Sequence, residues 1–176
     1  THVAPFAAAI AAGVPAIMTA HVVVPGWERD VPATHSAIAL GRLREMGFDG
    51  AIVTDALDMQ AVRVLGMGEA AVRALAAGAD LLCVGNPANP GSEPAEQSFL
   101  ATRAALVDAV TSGRVPRARL EEAHARVARL RERAASLAEE RMRAARAPMP
   151  DALVERVVRA ALAAGGAVPA LPGHRL

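Results

Sequence analysis

Short apolar runs alternate with longer amphipathic stretches along most of the chain. Residues 51–53, Ala-Ile-Val, form an apolar run entered through a Gly-containing turn. A short, β-branched run of this kind predicts a buried strand. Residues 16–21, Ala-Ile-Met-Thr-Ala-His, repeat the pattern, apolar at first and polar at the end. Residues 80–84 give a third run, closed by Gly85-Asn86-Pro87. Helical stretches lie between. Residues 3–12 put Phe6 and Ile10 on one face, with Pro5 in the first turn and Gly13 as the stop. Residues 37–46 put Ile38, Leu40 and Leu43 on or near one face. Thr34 or Ser36 would cap that helix, Arg42 and Arg44 would face solvent, and Gly47 would end it. Residues 60–65 predict a helical turn and residues 69–77 a helix stopped by Gly78. Strand starts fall about 30 to 35 residues apart, the size of a βα unit. Alternation at this spacing predicts a parallel sheet with right-handed crossovers.

After a Pro/Gly/Asn loop at 86–94 the pattern turns wholly helical. Residues 96–111 carry Phe99, Leu100, Leu106, Val107 and Val110 at near-helical spacing. Residues 112–116 break the pattern, and residues 117–133 resume it with Leu120, Ala123 or His124, Val127 and Leu130. Glu122 and Arg126 form a favourable i,i+4 pair there. The pattern drifts on to about residue 145, with too few heptads to favour a coiled coil over a helix docked on a sheet. Pro148 and Pro150 mark a linker, and residues 151–164 predict a last helix with Asp151 as N-cap and Leu153, Val157 and Leu162 inward. The tail from Gly165 is Gly/Pro-rich and closes no element, which predicts mobility or continuation into a further domain.

The strand ends carry the candidate chemistry. The 51–53 run stops abruptly at Thr54-Asp55, with Asp58 three residues on. Buried charge is unfavourable unless paired, and ligands of α/β folds sit at the carboxyl ends of parallel strands. Two readings of Asp55 stay open: an active carboxylate, or a cap on the following helix. His21 ends the 16–21 run. The irregular loop that follows holds Trp27, the only Trp, which either stacks on a ligand or covers the edge of the core.

Composition narrows the classes. The 176 residues allow one domain of ordinary size. One Trp, three Phe and no Tyr argue against a base-stacking nucleic-acid binder, and a net charge of +1 gives no long-range steering. All 19 basic residues are Arg, to which we attach no function. Cys83 stands alone in an apolar run and reads as a small buried hydrophobe, so no disulfide framework is expected. No apolar run approaches membrane-spanning length. No HExxH or Cys pair occurs, so neither metal nor cofactor is expected, and His124 reads as a packing or surface histidine. Gly66-Met67-Gly68 follows no strand, which disfavours a nucleotide binder.

Several motifs in order decide between a small open sheet and part of a larger barrel. They are Pro15-Ala16-Ile17-Met18-Thr19-Ala20-His21, the Pro25 loop, Pro32-Ala33-Thr34-His35-Ser36, Leu43-Arg44, Gly47-Phe48-Asp49-Gly50 and Thr54-Asp55-Ala56-Leu57-Asp58-Met59. Ala76-Ala77-Gly78-Ala79-Asp80 and Ala109-Val110-Thr111-Ser112-Gly113-Arg114-Val115 follow. Over residues 3–133 this order resembles the family 3 glycoside hydrolases. The Thr-Asp-Ala-Leu-Asp-Met form is more similar to the β-N-acetylhexosaminidase branch than to the β-glucosidases, where Asp-Trp is usual.

The resemblance implies an α/β fold: the last strands and helices of a TIM-like (β/α)8 barrel, incomplete, with a helical C-terminal extension. Residues 1–146 would be the C-terminal portion of the barrel. Residues 147–176 would be a linker and the start of a truncated second α/β domain. The implied function is a retaining exo-glycosidase releasing terminal β-linked N-acetylglucosamine from peptidoglycan- or chitin-derived sugars. Asp55 matches the nucleophile. Met18 and His21 match positions at the mouth of the site and would bind substrate, and Met59 would line the site or pack in the core. The implied partner is a carbohydrate substrate. The acid/base His–Asp pair and the sugar-holding Arg and Lys-His positions would precede Thr1; His2 does not match the acid/base His. The isolated chain is therefore expected to be inactive and unstable alone. The alternatives are a β-glucosidase or other family 3 glycosidase, and a non-catalytic barrel fragment that binds sugar or a partner.

Overall fold

The computed structural model describes residues 3–85, 94–146 and 151–163. His2, the expected loop from residue 86, the Pro148–Pro150 linker and the tail from Gly165 lie outside the described residues, as do the side chains of Leu153, Val157 and Leu162. The fold is α/β and mostly helical around a small parallel sheet. Helix α1 (Ala4–Ala11) leads to strand β1 (Ala16–Met18), and a 3-10 turn (Ala33–His35) leads to α2 (Ala37–Glu45). Strand β2 (Ala51–Val53) is followed by α3 (Gln60–Arg63), α4 (Met67–Ala77) and α5 (Ala95–Thr111). Then come α6 (Arg117–Arg146) and α7 (Asp151–Ala163). Among the described residues no helix is long and apolar enough to cross a membrane.

Contacts divide the chain into one compact unit over Thr1–Ala134 and a second over Ala135–Leu176. In the second, Leu137, Met142, Val154 and Val158 are exposed, and Asp151 is the first residue of α7 rather than its cap.

In the first unit β1 and β2 pair in parallel, Ala16 opposite Ala51 and Met18 opposite Val53. Ala51 and Ile52 are fully buried, because helices cover the sheet. Ser36, not Thr34, caps α2: its hydroxyl accepts from the Ala39 N–H at 3.0 Å. Gly47 ends the helix at φ +84°, a conformation that favours glycine. Gly50 sits where no other residue fits, since a Cβ there would lie 2.5 Å from the Pro15 carbonyl oxygen.

The expected third strand is reduced to a single parallel bridge, Val53 to Leu81. Side chains take the ladder's places. The Ile52 N–H donates to Asp80 Oδ2 at 2.9 Å, and the Cys83 N–H donates to Thr54 Oγ1 at 2.9 Å. The segment still follows β2, with Thr54 N–H donating to the Leu81 carbonyl and Leu57 N–H to that of Cys83.

One side-chain expectation also changes. Arg44 turns inward, donating to the carbonyls of Phe48 and Gly50 and to Asp80. Helix α5 buries Ser98, Thr102 and Ala109 and leaves Phe99, Leu100 and Val107 exposed. Its partner explains the choice. A Cβ on Gly68 of α4 would lie 2.7 Å from Ala105 Cβ, so the two helices approach through small residues. The core is accordingly rich in alanine: Ala70, Ala71, Ala74, Ala79 and Ala109 are fully buried beside Ile52, Leu57, Val62 and Val115.

Asp80 locks the helices to the start of the sheet. Its side chain is 0% exposed and accepts from Arg44 Nη2 at 2.6 Å and Arg119 Nη2 at 2.5 Å. Arg126 Nη1 stands 3.5 Å away. The carboxylate thus ties α2, β2 and α6 together. Arg126 also stands 3.6 Å from Glu122, the pair expected along that helix.

Candidate active site

Parallel pairing brings the ends of β1 and β2 to one edge of the sheet. Met18 and Val53 are register partners, and the Thr19 N–H continues the ladder by donating to the Val53 carbonyl at 2.8 Å. Beyond that edge lie His21 on one segment and Asp55 on the other.

Asp55 is half-buried and caps no helix. The N-cap of α3 is Met59, four residues on. Asp55 Oδ1 accepts from the N–H of its neighbour Ala56 at 2.8 Å. Oδ2 meets no donor among the described residues, and Asp55 forms no ion pair there. Among the described residues one oxygen is oriented and the other is open. That is an arrangement suited to a nucleophile or a general base, which needs a free lone pair in a fixed direction.

The chain after Asp55 is a tight turn. The Met59 N–H donates to the Ala56 carbonyl at 3.1 Å, enclosing Leu57 and Asp58. Both enclosed residues are buried. Asp58 packs against Gly85, where a Cβ would lie 2.9 Å from its carboxyl carbon. Met59 emerges 42% exposed, and Met18, at the end of β1, is 61% exposed. Two flexible thioether side chains therefore stand free at this edge of the sheet.

His21 is held at both nitrogens. Nε2 lies 2.9 Å from the Ala56 carbonyl oxygen, so it carries the proton and donates. Nδ1 lies 2.9 Å from Thr34 Oγ1, which in turn lies 2.8 Å from Thr19 Oγ1. In the neutral imidazole Nδ1 accepts from the Thr34 hydroxyl, and Thr34 accepts from Thr19. Both threonines are buried. The motif spacing singled out His21 but gave no sign of this chain; two hydroxyls within reach of a strand-end histidine are its only trace in the sequence.

Trp27 sits on the loop after β1, 37% exposed. Val23 and Pro32 close that loop through an antiparallel bridge. Next to it His35 Nε2 donates to the Ala70 carbonyl at 3.0 Å, and burial holds its imidazole below the ordinary range. Among the described residues no cluster of three or more His, Cys, Asp or Glu gathers as a metal site requires.

The family model described as "Glycosyl hydrolase family 3 N terminal domain" matches residues 1–130. The chain belongs to glycosyl hydrolase family 3. A curated relative, the beta-hexosaminidase of Xylella fastidiosa (strain 9a5c), is 45% identical over 89 residues, 47% of this chain and 25% of that protein. Among solved structures, the glycoside hydrolase family 3 beta-N-acetylglucosaminidase from Paenibacillus sp. str. FPU-7 matches with a TM-score of 0.67 at 43% identity, covering 75% of this chain and 24% of that one. The beta-N-acetylhexosaminidase from Beutenbergia cavernae DSM 12333 matches with a TM-score of 0.60 at 28% identity, covering 71% of this chain and 36% of that one. The family 3 structural likeness implies a TIM-like barrel domain. The chain spans about a quarter of the length of the curated relatives it matches.

Proposed function

We propose that this chain supplies the nucleophile-bearing part of a retaining exo-glycosidase that releases terminal β-linked N-acetylglucosamine from peptidoglycan- or chitin-derived sugars. One observation carries the reading: Asp55 stands just past the end of a parallel strand with Oδ1 fixed by the Ala56 N–H and with Oδ2 open among the described residues. Membership of family 3 and the beta-hexosaminidase names of its relatives supply the substrate class.

In the proposed reaction Asp55 Oδ2 attacks the anomeric carbon. The bond to the leaving oxygen breaks, and that oxygen takes a proton from a general acid elsewhere in the longer protein. Water then attacks the anomeric carbon of the glycosyl ester, gives up its proton to the same group acting as base, and frees Asp55. Met18 and Met59 give the sugar apolar walls, and His21 stands beside them at the mouth. Residues 1–146 are the closing portion of the barrel, and residues 147–176 are a linker and the start of a second α/β domain. The acid/base pair comes from the strands that complete the barrel, so residues 1–176 alone hydrolyse nothing.

The test compares the intact gene product, its Asp55→Asn variant and residues 1–176 alone on an aryl N-acetylglucosaminide and an aryl glucoside. The proposal expects turnover of the N-acetylglucosaminide by the intact protein only. Preference for the glucoside would overturn the substrate assignment, and activity of residues 1–176 would overturn the division of the site.

A further inference from the structure

We infer that His21 is a positioning residue for Asp55, acting through the backbone of Ala56 rather than by touching sugar. The inference rests on the assignment of Asp55 as nucleophile. Its basis is the way the two residues are joined. Ala56 is gripped from both sides: its N–H donates to Asp55 Oδ1 at 2.8 Å, and its carbonyl accepts from His21 Nε2 at 2.9 Å. The same carbonyl accepts from the Met59 N–H at 3.1 Å, so both of its lone pairs are used. Without His21 the Ala56–Leu57 peptide keeps the turn bond to the Met59 N–H and the Leu57 N–H bond to the Cys83 carbonyl, and it loses its one hydrogen bond to the segment after β1.

His21 is itself anchored. Its other nitrogen meets Thr34, fully buried in the 3-10 turn, and Thr34 meets Thr19 just after β1. The chain therefore runs from the buried floor of one strand, through the imidazole, to the residue beside the carboxylate on the next strand. Backbone hydrogen bonds between β1 and β2 reach no further than Thr19 to Val53. His21 continues the connection across the following segments, where no ladder exists. With both nitrogens engaged, the ring offers a substrate only its carbon edge and faces. A direct hydrogen bond from His21 to sugar would require breaking one of these two bonds.

Two substitutions separate positioning from contact. In His21→Gln the side-chain amide nitrogen reaches the place of Nε2 and can still donate to the Ala56 carbonyl. In His21→Asn the shorter amide can still meet Thr34 but stops short of Ala56. Misplacing a reacting group by about 1 Å loses on the order of a hundredfold in rate. In the intact gene product, His21→Asn is expected to lose about that factor in kcat with KM unchanged, while His21→Gln keeps most of the turnover. Melting curves and labelling of Asp55 by a fluorinated glycoside report whether each variant is folded and count its competent sites. Unchanged kcat in folded His21→Asn overturns the inference. So does an equal loss in both variants that appears in KM, the signature of direct sugar contact. Asp55→Asn, run in parallel, keeps the two claims apart. If it retains turnover, the nucleophile assignment fails whatever His21 does. If it is dead while His21→Asn is fully active, only the positioning role fails.

Discussion

Replacing Asp80 with asparagine tests what holds the helices to the sheet. The carboxylate is wholly buried and faces Arg44 and Arg119 at hydrogen-bond distance, with Arg126 just beyond. Asparagine fills the same space but presents an NH2 group to guanidinium donors and leaves three cations without their shared anion. Removing one partner from a buried ion pair costs about 3–5 kcal/mol. The structure points to the lower end of that range. Arg44 keeps the carbonyls of Phe48 and Gly50, Arg119 keeps those of Leu75 and Ala79, and Arg126 keeps Glu122 and Asp49. We therefore expect Asp80→Asn to destabilise by about 3 kcal/mol in urea titration of the intact gene product. The loss should be nearly independent of salt, because a buried pair is poorly screened. A double-mutant cycle with Arg119→Met should show strong coupling. Turnover per folded molecule should not change, since Asp80 lies at the far end of its segment from the Asp55 edge. A variant within about 0.5 kcal/mol of the parent would refute the reasoning, because that is the range of ordinary surface substitutions.

Three further perturbations follow from single contacts. Gly50→Ala would drive a Cβ against the Pro15 carbonyl and the Phe48 ring, so the melting temperature should fall by the equivalent of about 1–3 kcal/mol; an unchanged melt would show that this approach is looser. Burial holds the His35 imidazole below its ordinary value, whereas the unfolded chain takes up its proton near pH about 6.5. Below that pH the unfolded state binds more protons, so stability is full above it and falls as pH drops towards the folded value. His35→Gln should remove that component of the slope in urea titrations run across this window, and an identical slope would contradict it. Thr34→Val strands the buried Thr19 hydroxyl and leaves the part-buried His21 Nδ1 without its partner, and should destabilise by about 1–3 kcal/mol, read by thermal melting. A neutral result there would mean that water replaces the hydroxyl.

Local signals were legible in the sequence where one residue type answers one local need. A hydroxyl cap at the start of α2, narrowed to Thr34 or Ser36, and Gly47 at its end follow from capping chemistry, and the switch from Ala-Ile-Val to Thr-Asp marks a strand end. What stayed hidden depends on partners distant in sequence. Arg44 reads as a solvent residue beside Arg42, yet its partner Asp80 is brought to it by the fold, as are Arg119 and Arg126. One clue was available: a carboxylate at the head of an apolar run is a buried charge that demands counterions. The third strand failed as an expectation because the Asp80 carboxylate and the Thr54 hydroxyl occupy ladder positions, which apolar periodicity does not register. Helix α5 shows the limit of periodicity: Leu106 and Val110 pack against the core, while Phe99, Leu100 and Val107, at similar spacing, stay exposed. At the candidate site, Asp55 was visible from its place after a strand. The double anchoring of His21 was not, because it depends on a backbone carbonyl contributed by the neighbouring strand's loop.

The central claim is that Asp55 forms the covalent bond to sugar. The direct measurement treats the intact gene product with a 2-deoxy-2-fluoro or 5-fluoro glycoside, which slows release of the glycosyl-enzyme, and locates the label by peptide mass spectrometry. The account predicts one glycosyl group, on the peptide containing Thr54-Asp55-Ala56 and on Asp55 itself. A label on any other residue, in a protein that still turns over its substrate, would contradict it.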